Sequence, residues 1–249
     1  MVQNYTVWVE NNAYPVVVSD EREALLAAKA VGRVFVALYT ENPEQETLWD
    51  AGYLAAPDAI CPEYLERIVR RHIGLPWIIA ETDRLIIREF TLDDIAQMPE
   101  EPDVWYTEEE RTADRVFYDK DKLESYIKSQ YHFYEYGIWA VVRKADDVIV
   151  GKAGVTNLEE SEHGEFGNKT IPTEESAEYL ELGYHIFRPY RRQGYAEEAC
   201  RAILNYAKEE LACPVCARVA KENTASIQLL EKLKLPYFTI DCQRKTYMK

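Results

Sequence analysis

The stretch from residue 181 to residue 211 constrains the fold most, because a strand, a tight basic turn and a helix follow one another without interruption. The turn spans residues 188–196 and contains a single glycine, Gly194. Glu197 and Glu198 in the first helical turn suit the positive end of the helix dipole. The helix itself is indicated by apolar residues at the spacing of one buried face, at Ala196, Ala199, Cys200, Ile203, Leu204, Ala207 and Leu211.

The turn before this helix has the composition of an anion-binding cradle. The first N–H groups of a helix have no acceptor inside it and point toward whatever precedes them. Arg191 and Arg192 add positive charge, and Gly194 lets the backbone approach a ligand closely. The pattern Arg-x-x-Gly-x-Ala therefore predicts a site for a phosphate or diphosphate. On its own the pattern also fits a solvated loop.

Three motifs occur in one order along the chain. They are residues 82–94 (Thr-Asp-Arg-Leu-Ile-Ile-Arg-Glu-Phe-Thr-Leu-Asp-Asp), the basic turn, and residues 222–233, which contain Asn223 and Ser226. With these motifs the chain from residue 82 to about 235 resembles the GNAT superfamily of acetyl-CoA-dependent N-acetyltransferases. The closest branch is that of the ribosomal-protein N-terminal acetyltransferases. The resemblance implies an α+β fold with a mixed, mostly antiparallel central sheet flanked by helices, acetyl-CoA as cosubstrate, and no metal.

The resemblance also implies which residues hold the coenzyme. The pantetheine arm pairs like an extra strand with the strand before the turn, and the diphosphate meets backbone N–H groups of the turn. Pro189 lies one residue closer to Gly194 than the family spacing. Asn223 either binds the pantetheine arm or caps the following helix, and both roles are compatible. The implied coenzyme residues are Tyr184, Ile186, Phe187, Arg191, Arg192, Gln193, Gly194, Tyr195, Ala196 and Asn223.

Acetyl transfer requires an acceptor amine that has lost its proton, and a carboxylate is a common base for this step. Glu181 is the first candidate and Glu178 the second, while His185 could serve instead. A strand-end surface role for Glu181 and a core role for His185 are the competing interpretations. Ser226 matches a serine proposed in this branch as the proton donor to the departing thiolate. Since Leu230 stands where many members have tyrosine, either Ser226 donates the proton or the thiolate leaves unaided.

Residues 1–78 are predicted to form a separate small α/β domain, and residues 79–249 the acetyltransferase domain. A parallel sheet is expected in the first part, with Gly74 and Pro76 marking the join. This part resembles the trailing half of haloacid dehalogenase-like phosphatases, but residues 1–13 lack the nucleophilic aspartate of that family. We therefore expect docking or dimerisation rather than phosphatase activity. The expected elements are strands at 14–18, 33–39 and 53–54 and helices at 21–30, 44–50 and 62–72.

Two polar regions of the second part concern the acceptor. Residues 99–136 are acidic and aromatic, and the resemblance implies helices over the acceptor site there. Residues 156–176 form a long insertion rich in glutamate. Such a loop is either a lid that attracts a cationic acceptor or a solvated segment.

The charge and the cysteines narrow the classes of partner. The net charge of -15, from 29 Lys and Arg against 44 Asp and Glu, argues against nucleic acid and anionic membranes. It suits an amine-bearing acceptor, and it also suits a soluble acidic protein. Five cysteines, with no signal peptide or bilayer-spanning run, predict reduced thiols and a cytoplasmic location. Cys213 and Cys216 have metal-ligand spacing but lack a second pair, which favours a buried Cys216.

A non-catalytic acyl-CoA-binding or regulatory module is the alternative function. In both cases the coenzyme should stabilise the native state, and a homodimer is compatible with either. Only an enzyme should release CoA thiol when it is given amines or N-terminal peptides.

Overall fold

The computed structural model describes residues 1–39, 53–99, 112, 114–157, 179–240 and 244–248. The chain divides into two compact units, and the polypeptide passes between them more than once. The first unit comprises residues 1–77, 91–95 and 112–135, and the second comprises residues 78–90, 96–111 and 136–249.

A four-stranded sheet, in the order β1-β2-β3-β4, forms the framework of the first unit. The strands β2 and β3 pair in parallel, as do β3 and β4, whereas β1 and β2 form an antiparallel hairpin. The expectation of a purely parallel sheet is therefore wrong at β1. The strands are β1 Val2–Val9, β2 Asn12–Ser19, β3 Val34–Leu38 and β4 Leu54–Ala55.

Two helices cover this sheet at the predicted positions. They are α1, Arg22–Ala30, and α2, Pro62–His72. The helix α2 begins with Pro62 in its first turn, where a missing N–H costs nothing, and the Sγ of Cys61 accepts a hydrogen bond from the Tyr64 amide. The core between sheet and helix contains Val16, Val36 and Ile68, all completely buried. The helix expected at 44–50 lies outside the described residues.

A helical segment from the middle of the chain belongs to the first unit. The helix α3, Lys120–Tyr126, is capped by Asp119, whose carboxylate accepts a hydrogen bond from the Lys122 amide. It continues directly into a π-helix, Ile127–Tyr134, which ends at Glu135 in a left-handed conformation with φ 63°. Helices are thus confirmed in part of the aromatic region.

The second unit is built on an eight-stranded sheet in the order β11-β12-β10-β9-β8-β7-β6-β5. All neighbours are antiparallel except β9 and β10, which are parallel. This confirms the mixed, mostly antiparallel central sheet. The strands are β5 Ile78–Glu81, β6 Leu85–Arg88, β7 Ile138–Arg143, β8 Val148–Asn157, β9 Leu180–Ile186, β10 Val215–Ala220, β11 Tyr237–Ile240 and β12 Arg244–Met248.

Two helices follow β9 and β10 in the chain. The helix α4, Tyr195–Glu209, packs on β8 and β9, and α5, Thr224–Lys232, packs on β10. The predicted apolar face of α4 is confirmed at its centre, since Ala199, Cys200 and Ile203 are completely buried. The position of α4 over the sheet fixes where its N-terminus meets the end of β9.

The four-stranded sheet uses only residues before 78, and the eight-stranded sheet only residues from 78 onward. The proposed division into an N-terminal domain and an acetyltransferase domain stays a prediction, because the first unit also takes in residues 91–95 and 112–135. Within the described ranges, no helix is long and apolar enough to cross a membrane.

Candidate functional site

The parallel strands β9 and β10 separate soon after they begin. They pair only at Leu180 with Val215 and at Glu181 with Cys216. Beyond these positions β9 stays paired with β8, and β10 pairs with β12. No described strand pairs with residues 182–186 on the side toward β10. An extended ligand can therefore add to this edge of β9 as a strand.

The edge of β9 leads into the basic turn. A single 3-10 turn, Arg188–Tyr190, precedes Gly194, which adopts φ 84° and begins α4. No side chain caps this end of the 15-residue helix. The first hydrogen bond within the helix runs from the Glu198 amide to the Gly194 carbonyl, at 3.1 Å. The amides just before Glu198 therefore point out of the helix. The structure brings the predicted residues 191–196 together at this helix end.

Contacts within the turn hold it against the end of β9. The Nε of Arg191 donates to the Ile186 carbonyl at 2.7 Å, and its Nη2 lies 3.5 Å from the Nε2 of His185. The side-chain amide of Gln193 donates to the Pro189 carbonyl at 3.2 Å. Arg191 therefore fixes the shape of the turn, whereas Arg192 is exposed beside it.

The two glutamates in the first turn of α4 are both paired with cations. Glu197 contacts Arg201 at 2.9 Å and also Lys232, and hydrogen bonds from these two residues lower its pKa. Glu198 contacts Arg84 at 2.6 Å. Burial acts to raise the pKa of Glu198, but hydrogen bonds from Thr82 and Arg84 outweigh it and lower that pKa. Sequence reasoning assigned these glutamates to the helix dipole and missed Arg84 and Lys232.

Glu181 lies where β9 and β10 begin to separate. Both of its carboxylate oxygens accept hydrogen bonds from Arg218 of β10, from Nε at 2.9 Å and from Nη2 at 2.5 Å. The pair is mostly buried, with 20% of the Glu181 side chain and 11% of the Arg218 side chain exposed. This geometry holds the carboxylate in one orientation. Arg218 was not identified from the sequence, and Glu178 lies outside the described residues.

Ser226 lies in the first turn of α5, beside the free edge of β9. Its amide donates to the Asn223 side-chain oxygen at 3.1 Å, so the predicted capping role of Asn223 is confirmed. Its hydroxyl lies beside the phenol of Tyr184 on β9. Burial raises the pKa of Tyr184, and the phenol is therefore protonated at neutral pH. Leu230, at the family's tyrosine position, is buried in the core.

Two cysteines near this site lie in the core. Cys200 and Cys216 are buried, and burial raises the pKa of the Cys200 thiol. The burial of Cys216 agrees with the sequence prediction. Within the described residues, there is no group of three or more His, Cys, Asp or Glu side chains that could hold a metal ion.

A family model and several solved structures are similar to this chain. Residues 84–235 match a family model described as an acetyltransferase (GNAT) domain. A solved nucleotide-linked sugar GNAT in its apo form is similar in fold, with TM-score 0.52 and 10% identity over 70% of this chain and 90% of that one. A putative ribosomal-protein-serine acetyltransferase from Vibrio cholerae has a TM-score of 0.48 and 16% identity, over 70% of this chain and 97% of that one. An acetyltransferase from Agrobacterium tumefaciens has a TM-score of 0.47 and 19% identity, over 68% of this chain and 92% of that one.

Proposed function

Because this chain belongs to the GNAT acetyltransferase family and is an N-acetyltransferase, we propose that it transfers the acetyl group of acetyl-CoA to a primary amine. The acceptor is a protein N-terminus or a small amine, and the amine attacks the thioester directly without a covalent enzyme intermediate. The observation that supports this best is the open edge of β9, which leads directly to the uncapped N-terminus of α4.

The coenzyme is proposed to lie along these two features. The amide groups of the pantetheine arm pair with the edge of β9 that lies opposite β8, near Tyr184 and Ile186, where the Ile186 carbonyl also accepts the bond from Arg191. The diphosphate then meets the amides around Gly194 and the positive end of α4. Because Glu197 and Glu198 are already paired with cations, their repulsion of the diphosphate is reduced.

The proton of the attacking amine is proposed to pass to Glu181, directly or through a water molecule. The nitrogen bonds to the thioester carbon, the carbon–sulfur bond breaks, and coenzyme A leaves as a thiolate. Arg218 holds the carboxylate of Glu181 in one orientation, and each carboxylate oxygen keeps a second lone pair that can accept a proton. Ser226 is proposed to donate a hydrogen bond to the departing sulfur, and the N-terminus of α5 favours negative charge there.

The proposed reaction is tested by measuring free CoA thiol while the protein is supplied with acetyl-CoA and a panel of small amines and N-terminal peptides. Acetyl-CoA should raise the melting temperature, because it binds only the native state. Thiol release that depends on an amine supports the enzyme. A raised melting temperature without thiol release across the panel would favour the non-catalytic coenzyme-binding module.

Glu181→Gln tests the proposed base. The amide keeps the size of the side chain but cannot take the proton, so we expect kcat to fall about a hundredfold, within the usual range for general-base catalysis. The dissociation constant for acetyl-CoA should stay within about twofold. Glu231→Gln, an exposed change on α5, is the matched control. If the pH–rate profile of Glu181→Gln equals that of the unmodified enzyme, Glu181 is not the base, and His185 is tested next.

The first unit is proposed to dock a partner or a second copy of the chain, in a protein that acts in the cytoplasm. Its likeness to a haloacid dehalogenase-like half-domain stays a prediction, as does its lack of phosphatase activity. The mass of the protein in solution, measured by sedimentation at several concentrations, tests the homodimer. Hydrolysis of a generic phosphate ester would contradict the assignment.

A further inference from the structure

We propose that Arg84 is a positioning residue for the diphosphate-binding turn, and this inference rests on the proposed use of acetyl-CoA. Arg84 lies immediately before β6, far from the turn in sequence. Its backbone and side chain both contact the N-terminal end of α4.

The contacts of Arg84 reach both sides of the helix start. Before the helix, its Nη1 donates to the Gln193 carbonyl at 2.9 Å. At the first helical residue, its guanidinium carbon lies 4.7 Å from the centre of the Tyr195 ring. Inside the first turn, its Nε and its backbone amide donate to the two carboxylate oxygens of Glu198 at 2.7 and 3.0 Å.

These contacts surround Gly194, the residue with φ 84°. A Cβ placed on Gly194 would lie 3.2 Å from the Nη2 of Arg84, so the guanidinium packs closely against the glycine. The bond to the Gln193 carbonyl fixes the peptide group that precedes Gly194, and the Glu198 carboxylate fixes the guanidinium. Arg84 thereby determines the direction in which the amides around Gly194 point.

The charge of Arg84 is balanced by the carboxylate of Glu198, which Thr82 also holds through a hydrogen bond of 2.5 Å. The guanidinium therefore acts through geometry more than through attraction of phosphate. A lysine could keep the positive charge at this position. It could not contact Gln193, Tyr195 and Glu198 together, since an ammonium group lacks the planar fork of a guanidinium.

Arg84→Met should lower kcat/KM for substrates that contain the diphosphate. We expect the KM for acetyl-CoA to rise about tenfold, an effect typical of losing one charge-assisted hydrogen bond, while kcat stays within about twofold. The kcat/KM for S-acetyl-pantetheine, which lacks the diphosphate, should not change. Arg84→Lys should behave like Arg84→Met. Lys208→Met, which removes an ion pair with Glu209 at the other end of the same helix, is the matched control and should change kcat/KM for neither substrate.

Amide hydrogen exchange in the full-length free protein gives a second readout. Arg84→Met should speed exchange at Tyr195 and Ala196, and Lys208→Met should not. Equal losses of kcat/KM with both substrates, or unchanged amide hydrogen exchange at Tyr195 and Ala196, would overturn the positioning role. Recovery of the KM by Arg84→Lys would also overturn it, because it would assign Arg84 a direct charge contact with phosphate. If the unmodified protein turned over neither substrate, the proposed function would fail instead.

Discussion

At the scale of single residues, the site depends on side chains that act through a neighbour. Tyr184 is the clearest case, because its phenol lies beside the hydroxyl of Ser226. In the proposed mechanism, the phenol donates a hydrogen bond to the serine oxygen. If Tyr184 donates, the hydrogen of Ser226 is left to point toward the departing sulfur. In this mechanism, the pair takes the role of the tyrosine that is absent at Leu230.

Ser226→Ala should therefore lower kcat about tenfold, at the modest end of the range for proton donors. Tyr184→Phe should lower kcat less, since the serine hydroxyl remains but is no longer oriented. In the Ser226→Ala background, Tyr184→Phe should have no further effect on kcat, because residues that act as a unit are not additive.

Steady-state kinetics of the two single variants and the double variant measures this coupling, and the dissociation constant for acetyl-CoA serves as the control. The proposed pair would be ruled out if Tyr184→Phe reduced kcat by the same factor with and without Ser226.

At the scale of elements, the π-helix Ile127–Tyr134 places His132 against Tyr53 of the same unit. The ring centres lie 4.7 Å apart, and the Tyr53 hydroxyl is 3.5 Å from the Nε2 of His132. Burial, reinforced by repulsion from Arg71, Lys128 and His72, lowers the pKa of His132 to about 4. The neutral imidazole is therefore part of the folded first unit.

This pKa shift predicts a loss of stability in acid. In the unfolded chain His132 binds its proton near pH 6.5, while the folded protein resists protonation until about pH 4. The contribution to stability is therefore complete above pH 6.5 and is lost as the pH falls toward 4. The loss should amount to about 3 kcal/mol of unfolding free energy.

Denaturant unfolding of the unmodified protein and of His132→Asn between pH 7 and pH 4.5 tests this prediction. The variant should lose less stability over that interval, because its side chain does not titrate. His72→Asn is the comparison and should have a much smaller effect, because His72 is exposed and is the weakest of the groups that lower the pKa of His132. Equal pH dependence in all three proteins would show that His132 does not determine the acid sensitivity.

The elements also show how far the sequence alone can predict this structure. The buried face of α4 and its start near Gly194 follow from periodicity and from one glycine. The strand β1 was missed because it is exposed on one face, and its turn at Glu10 and Asn11 uses positive φ angles without glycine. Arg84 and Arg218 were missed for another reason. Their partners are distant in sequence, so only tertiary packing reveals them.

At the scale of the whole molecule, the two units are interleaved in sequence, because residues 112–135 pack with the N-terminal sheet rather than with the eight-stranded one. Ile68→Ala should test this grouping, since Ile68 is completely buried in the first core. The variant should lose about 2–5 kcal/mol of local stability. Amides of residues 120–134 should then exchange faster together with those of β2 and β3, while β7 and β8 keep their protection.

Ile203→Ala in α4, where Ile203 is equally buried, is the matched change in the second unit and should give the opposite pattern. Hydrogen exchange followed by mass spectrometry measures both variants in the full chain. Faster exchange of β7 and β8 in Ile68→Ala, at a rate equal to that of residues 120–134, would show that the chain unfolds as a single cooperative body.

The separation of β9 from β10 has a consequence for how this enzyme is held together. Past their first two residue pairs, the strands β10, β11 and β12 have no hydrogen bonds of the described backbone joining them to β9. A cosubstrate that binds in this gap can form the hydrogen bonds that join the strands β10, β11 and β12 to β9. Bound as proposed, acetyl-CoA would therefore stabilise the sheet as well as react, and each release of CoA would remove that support.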